Sequence, residues 1–123
     1  MNISKTTSVL GAWGEAVALE KMVSLGYVPV ASQYHSRYGE IDLIVQNERY
    51  LVFVEVKLRR DAQFAEAREF VSKSKQRKLR MTAQMYLVAH ETKLQPRFDV
   101  VEIYARDGVK TKNPIVNVLE NAF

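Results

Sequence analysis

Gly39-Glu40-Ile41-Asp42-Leu43-Ile44-Val45-Gln46 and Leu51-Val52-Phe53-Val54-Glu55-Val56-Lys57-Leu58 are two apolar runs joined by Asn47-Glu48-Arg49-Tyr50. Short runs of Val, Ile, Leu and Phe bounded by turn residues read as strands, and two such runs around a short turn read as an antiparallel hairpin. The strands are expected over Glu40 to Gln46 and Leu51 to Leu58, with Asn47-Glu48-Arg49 as the turn. Side chains two apart share a face, so Glu55 and Lys57 project together while Val54 and Val56 point the other way. If residues 47–50 form the loop, Gln46 pairs with Leu51 and Asp42 falls opposite Glu55, with β-carbons ~5 Å apart. A two-residue loop would instead place Glu40 opposite Glu55, so everything at this site hangs on the register.

Two carboxylates at that separation, on strands otherwise made of core residues, repel each other and lose hydration. Such a pair either retains a proton or binds a cation. Mg²⁺ and Mn²⁺ take a few carboxylates plus waters, and a neighbouring lysine can neutralise charge or orient an attacking water. The plainer reading is a half-exposed sheet with Glu55 and Lys57 facing solvent and Asp42 paired to an arginine.

Outward from the hairpin, a first helix is expected from Val9 to Leu25, with Thr6, Thr7 or Ser8 as N-cap and Gly26 as the stop. Its apolar face is read through Val9, Ala12, Trp13, Ala16, Leu19 and Val23. Glu15 is flanked at helical spacing by Gly11, Ala12, Ala18 and Leu19, away from the charged face of Glu20 and Lys21. A glutamate on so small and apolar a surface wants a partner, which makes it a candidate third acid. Gly11 and Gly14 each cost about 1 kcal/mol relative to Ala inside a helix, which points to a close approach on this face. Ordinary packing on a sheet explains the glycines as well as contact with a bound strand does.

Tyr27 to Tyr34 reads as a strand and His35 to Gly39 as a turn. Residues from Arg59 to Val71 read mostly as loop. A second helix follows from Ser74 to His90 with Leu79, Ala83, Tyr86 and Leu87 inward, then strands from Pro96 to Tyr104 and Ile115 to Leu119. The order α-β-β-β-α-β-β combines hairpins with a crossover, so the fold class is α/β, a mixed central sheet flanked by helices. No linker or repeat divides the chain, and residues 1–123 are read as one domain.

The whole sequence has 123 residues, no cysteine and a formal charge of +4. Without cysteine there is no disulfide framework, thiolate zinc site or cysteine nucleophile, which fits a reducing, cytoplasmic setting. No apolar run approaches the ~18 residues of a membrane span, and the N-terminal residues lack a signal-peptide core. Lys73, Lys75, Arg77, Lys78 and Arg80 form a basic run without an acid, with Lys57, Arg59 and Arg60 upstream. A solvated helix face explains such a run. So does a footprint on nucleic acid, where clustered cations release counterions.

Gly11-Ala12-Trp13-Gly14-Glu15 with Ala18, Gly39 to Ile44, Phe53 to Lys57, Lys75-Gln76 with Leu79, Arg97 to Val101 and Asn121-Ala122-Phe123 together resemble the bacterial YraN-type family. That family is similar to Holliday junction resolvases of the PD-(D/E)xK, restriction-endonuclease-like superfamily. The resemblance implies an α-β-β-β-α-β core around a four-stranded mixed sheet, with Mg²⁺ or Mn²⁺ held by Asp42 and Glu55, helped by Glu15. Lys57 takes the superfamily's lysine position, and Ile41 stands where its name has proline.

The function this implies is a metal-dependent endonuclease acting on structured or branched DNA, with Glu15, Asp42, Glu55 and Lys57 as catalytic residues. Lys73, Lys75, Gln76, Arg77 and Lys78 would contact the nucleic acid. A homodimer is expected of a junction resolvase, since a two-fold enzyme suits a two-fold substrate. The competing reading is a non-catalytic nucleic-acid-binding module with a vestigial nuclease site. Asp99 is read as a structural acid paired with Arg97. His35 and His90 lack ligand spacing, and Trp13 reads as packing.

Overall fold

The computed structural model describes residues 8–60 and 71–123. The first helix, α1, spans Val9–Ser24, and Ser8 is its cap: Ser8 Oγ accepts from the Gly11 N–H at 2.9 Å, satisfying a donor that the first turn leaves without a partner. Thr6 and Thr7 lie outside the described residues, as do residues 61–70 of the expected loop. Past the helix, Gly26 takes φ 97°, a conformation that favours glycine at such stops.

The buried face of α1 differs from the expected one. Gly11, Gly14, Glu15, Ala18 and Met22 go inward, whereas Val9 and Val23 are exposed and Trp13 and Leu19 only flank the contact. The sheet beneath is already covered by branched side chains, so the helix settles on its smallest residues. A β-carbon on Gly14 would lie 2.9 Å from Leu58 Cδ2. The close approach is therefore helix on sheet, through a leucine side chain. Gly14→Val is expected to lower the free energy of unfolding by about 1–3 kcal/mol through overpacking, read by urea titration. Leu58→Ala in that background should recover part of the loss, because the two sites share one volume.

Five strands follow: β1 (Val28–Ser36), β2 (Gly39–Gln46), β3 (Tyr50–Arg59), β4 (Gln95–Tyr104) and β5 (Ile115–Leu119), with a 3-10 turn at Gly108–Lys110. The second helix, α2, spans Lys73–Ala89 and lies between β3 and β4 in sequence. The sheet order is β1-β2-β3-β4-β5, antiparallel except for the parallel pair β3–β4. This is the expected α/β arrangement, with the C-terminal strand added at an edge. The β1–β2 turn is tighter than expected, since Ser36 pairs with Gly39 and only Arg37 and Tyr38 form the tip.

The sheet has a core on each face. Ala18 and Met22 of α1 pack with Leu43, Val45, Val52, Val54, Val56, Val101 and Ile103. On the opposite face, Leu79, Ala83 and Tyr86 of α2 pack with Ile41, Ile44, Leu51, Phe53 and Val100. The expected inner residues of α2 go inward, with Leu87 half-buried at the margin.

In β4, Arg97 donates to both oxygens of Asp99, at 2.9 and 2.8 Å, and to the Tyr27 hydroxyl at 2.6 Å. Asp99 also accepts from the Asn121 N–H at 3.0 Å, and the Ala122 N–H donates to the Phe98 carbonyl at 2.8 Å. These bonds tie the C-terminal residues to the sheet. The pairing of Asp99 with Arg97 expected from the sequence is present.

Candidate metal and nucleic-acid site

The β2–β3 ladder runs from Gln46↔Leu51 to Leu43↔Val54, the register expected with residues 47–50 as the loop. Continuing the count puts Asp42 level with Glu55. Beyond the ladder, however, Asp42 Oδ2 accepts the buried Val56 N–H at 2.8 Å. A side chain here replaces a backbone partner, so the two strands open into a fork at Asp42.

The alternation of β2 also breaks at this point. Ile41 belongs to the core under α2, yet Leu43 and Val45 belong to the core under α1. In a regular strand these three would share a face. The partner strand breaks with it: Ser32 pairs with Leu43 and Tyr34 with Ile41, while Gln33 between them takes φ 52°. Such a positive φ is uncommon outside glycine. The shift in phase turns Glu40 and Asp42 toward α1, where Glu15 descends from the helix.

Glu15, Glu40 and Asp42 each offer one oxygen, all within 4.8 Å of one another. Glu15 and Asp42 are buried and Glu40 is half-buried. Gln33 Nε2 donates to Glu15 Oε1 at 3.4 Å, and His35 Nδ1 lies 3.3 Å from Glu40 Oε1. Glu40 was weighed in the sequence only as a rival in register, because the shift that brings it here has no signature in the apolar pattern. Its place within Gly39-Glu40-Ile41-Asp42, two residues before Asp42, was the signal available.

Glu55 stands outside this trio. Val54 and Val56 point into the core under α1, so Glu55 is directed toward α2. There Lys75 Nζ forms an ion pair with Glu55 Oε2, and Lys57 Nζ lies 4.0 Å from the same oxygen. The parallel register sets Lys57 beside Glu102 of β4, and buried Glu102 pairs with Arg59 at 3.3 Å. The Arg59–Glu102 pair was not foreseen, since parallel pairing of β3 and β4 decides which residues meet. Gln76 donates to the Val71 carbonyl at 2.9 Å, and with Lys57, Arg59 and Glu102 it lines a small cleft.

The basic run lies on the first two turns of α2, where Lys73, Arg77 and Lys78 are exposed and Lys75 is half-buried over Glu55. Arg80 instead covers the Phe98 and Phe123 rings, 5.2 and 5.8 Å from their centroids. Neither histidine joins His, Asp and Glu in a further ligand set among the described residues. None of the described helices is long and apolar enough to cross a membrane.

The model of the uncharacterised protein family UPF0102 matches residues 14–103, from Gly14 on α1 through β4. The chain belongs to the UPF0102 family. The UPF0102 protein of Saccharophagus degradans is 42% identical over 115 residues, covering 92% of this chain and 91% of its own length. That of Syntrophomonas wolfei is 39% identical over 114 residues, covering 88% and 95%. A more distant UPF0102 protein, from Clostridium botulinum, is 32% identical over 116 residues and 93% of either chain. This is the YraN-type family named on sequence grounds. All the site residues of α1, β2, β3 and α2 fall inside the matched span.

Proposed function

We propose that this UPF0102 chain is a divalent-metal-dependent endonuclease that hydrolyses phosphodiester bonds in structured or branched DNA. The observation that carries the reading is the gathering of Glu15, Glu40 and Asp42 within 4.8 Å in a fork of the sheet. Carboxylate oxygens are hard donors, and three of them leave positions for water, which suits Mg²⁺ or Mn²⁺. Three acids in partial burial repel one another at this range, and a cation relieves that repulsion. The residues fit the ion.

Glu15, Glu40 and Asp42 would hold the cation. When bound, it supplies Lewis acidity and neutralises charge at a phosphoryl oxygen. Lys57 is placed by its neighbour Glu55 and offers its Nζ protons to a phosphate oxygen. Lys73, Arg77 and Lys78 hold the DNA backbone, with binding that weakens as salt rises. Nothing among these residues reads base edges, so selectivity rests on the shape of the substrate. The resemblance to restriction-endonuclease-like enzymes gives Glu55 a ligand's role too, which requires its pair with Lys75 to open and its carboxylate to turn from the α2 side into the fork where the trio lies.

Cleavage of a four-way DNA junction should depend on Mg²⁺ or Mn²⁺ and fall by roughly 10²–10³ in Lys57→Ala, the scale of losing one positioned donor. Glu55→Gln should lose cleavage with the fold intact. Cleavage at the wild-type rate in Glu55→Gln would sink the mechanism. Salt-sensitive DNA binding without metal uptake or cleavage would instead identify a non-catalytic nucleic-acid-binding module.

A further inference from the structure

Two neighbouring parts of the fold, β1 with its turn and the whole of α2, contain no acid: residues 21–39 and 70–90 hold none of the chain's 14 Asp and Glu. The cations on this side of the molecule divide into two sets. Lys57, Arg59 and Lys75 are spent on the carboxylates of Glu55 and Glu102, and Arg80 covers two aromatic rings. Lys73, Arg77 and Lys78 of α2 have no carboxylate partner among the described residues. Neither does Arg37, exposed at the tip of the β1–β2 hairpin. Uncompensated positive charge on adjoining acid-free segments favours a polyanion.

A chain of hydrogen bonds fixes that tip against the helix. Thr82, fully buried, donates to the Lys78 carbonyl at 2.9 Å. Its proton is used there, so the Ser36 hydroxyl donates to Thr82 Oγ1 at 2.7 Å, and Ser36 Oγ in turn accepts the Tyr38 N–H at 3.0 Å. The tip is thereby tied to the backbone of Lys78. A β-carbon on Gly39 would lie 3.8 Å from the β-carbon of Lys78, so the two segments touch. Arg37 lies over the Tyr38 ring, 5.0 Å from its centroid, and donates to the Tyr38 hydroxyl at 2.8 Å. A guanidinium carries five N–H donors, so this one bond leaves the others to a phosphate. The phenol keeps its own proton to donate beside them.

We infer that the nucleic-acid surface continues from α2 onto the hairpin tip, where Arg37 grips a backbone phosphate and Tyr38 orients it. This extension depends on the nucleic-acid partner proposed above and not on cleavage. It accounts for how DNA lying on the α2 side comes to acids directed toward α1. The tip stands at the head of β2, and Glu40 and Asp42 follow Tyr38 by two and four residues, ~7 and ~14 Å along an extended strand. A backbone held by Lys78 and Arg37 is therefore led past the end of the sheet toward the trio. Contacts of this kind position the nucleic acid and carry no base sequence.

Fluorescence anisotropy of a labelled four-way DNA junction titrated with the full chain, with EDTA present so that no cleavage intervenes, tests it. The wild type should bind with an affinity that falls as salt rises. Arg37→Gln should weaken binding by about three- to tenfold and lower the slope of log affinity against log salt by about one, the mark of one lost phosphate contact. Arg37→Lys keeps the charge and should keep the slope; a slope lowered equally in both variants makes the effect structural and overturns the inference. Arg49→Gln is the matched control, since Arg49 lies over the Tyr50 ring, 5.8 Å from its centroid, on the turn at the other end of β2. It should bind as the wild type does, and an equal loss there would show that net charge is read and not this face, which also overturns it. Weakening by Lys78→Gln with none by Arg37→Gln leaves the α2 contact standing and removes the tip from it. A wild type that does not bind removes the nucleic-acid reading itself, and the tip's role with it.

Discussion

Asp42→Asn should leave the protein folded and lower its affinity for Mn²⁺ by roughly two orders of magnitude or more, about 2.7 kcal/mol at hundredfold. The carboxylate has two separable duties. One oxygen accepts the Val56 N–H at 2.8 Å, which an asparagine carbonyl can also do. The other duty is negative charge within 4.8 Å of Glu15 and Glu40, which asparagine cannot supply. Asp42→Ala should lose both: metal binding disappears, and the Val56 N–H loses its bond to Asp42, at a cost of about 1–3 kcal/mol. Calorimetric titration of Mn²⁺ into the three proteins, beside their urea unfolding curves, separates the two duties. Undiminished Mn²⁺ binding by Asp42→Asn would mean that the trio is not the metal site. Equal stability of the Asn and Ala variants would mean that the bond to Val56 contributes nothing.

The comparison between Asp42 and Glu55 marks where sequence reading works and where it stops. Loop length and apolar pattern were enough to place Gln46 against Leu51, because a hairpin's register follows locally from its turn. The faces were another matter. Period-2 alternation assumes a regular strand, and β2 loses its phase between Ile41 and Leu43 as Gln33 across from it adopts φ 52°. Nothing in Gln33 or its neighbours announces that conformation. The error on α1 has a similar origin. Large apolar residues marked a plausible stripe, but contact distance to the sheet selected Gly11, Gly14 and Ala18. Glu15 was legible for the same reason, since its immediate helical neighbours were small. Lys75 was legible as a basic residue, though its pair with Glu55 depends on how α2 crosses the sheet.

Asp99→Ala is the substitution expected to damage the fold most, by about 3–5 kcal/mol, the usual cost of stranding one member of a buried ion pair. Asp99 is fully buried and Arg97 nearly so. The side-chain hydrogen bonding of Arg97 to the Asp99 carboxylate, the largest influence, raises the Arg97 pKa above its ordinary value, against a smaller opposing effect of burial. A raised pKa means that the pair's contribution is fully present below the ordinary arginine range. It would be lost only at higher pH, so it should not vary between neutral and mildly alkaline conditions. Removing the carboxylate leaves the guanidinium to the Tyr27 hydroxyl, the Tyr50 ring at 4.6 Å and the exposed Glu120 carboxylate at 3.3 Å. None of these replaces a bidentate acceptor. The Asn121 N–H loses its bond as well, so the C-terminal residues should exchange amide hydrogens faster at Asn121 and Ala122. Calorimetry should find the melting temperature lowered by roughly 10 °C or more, given the entropy of unfolding of a domain this size. A variant within about 1 kcal/mol of wild type would show that Arg97 and Asp99 are dispensable to the fold, because single changes remote from buried features fall in that range.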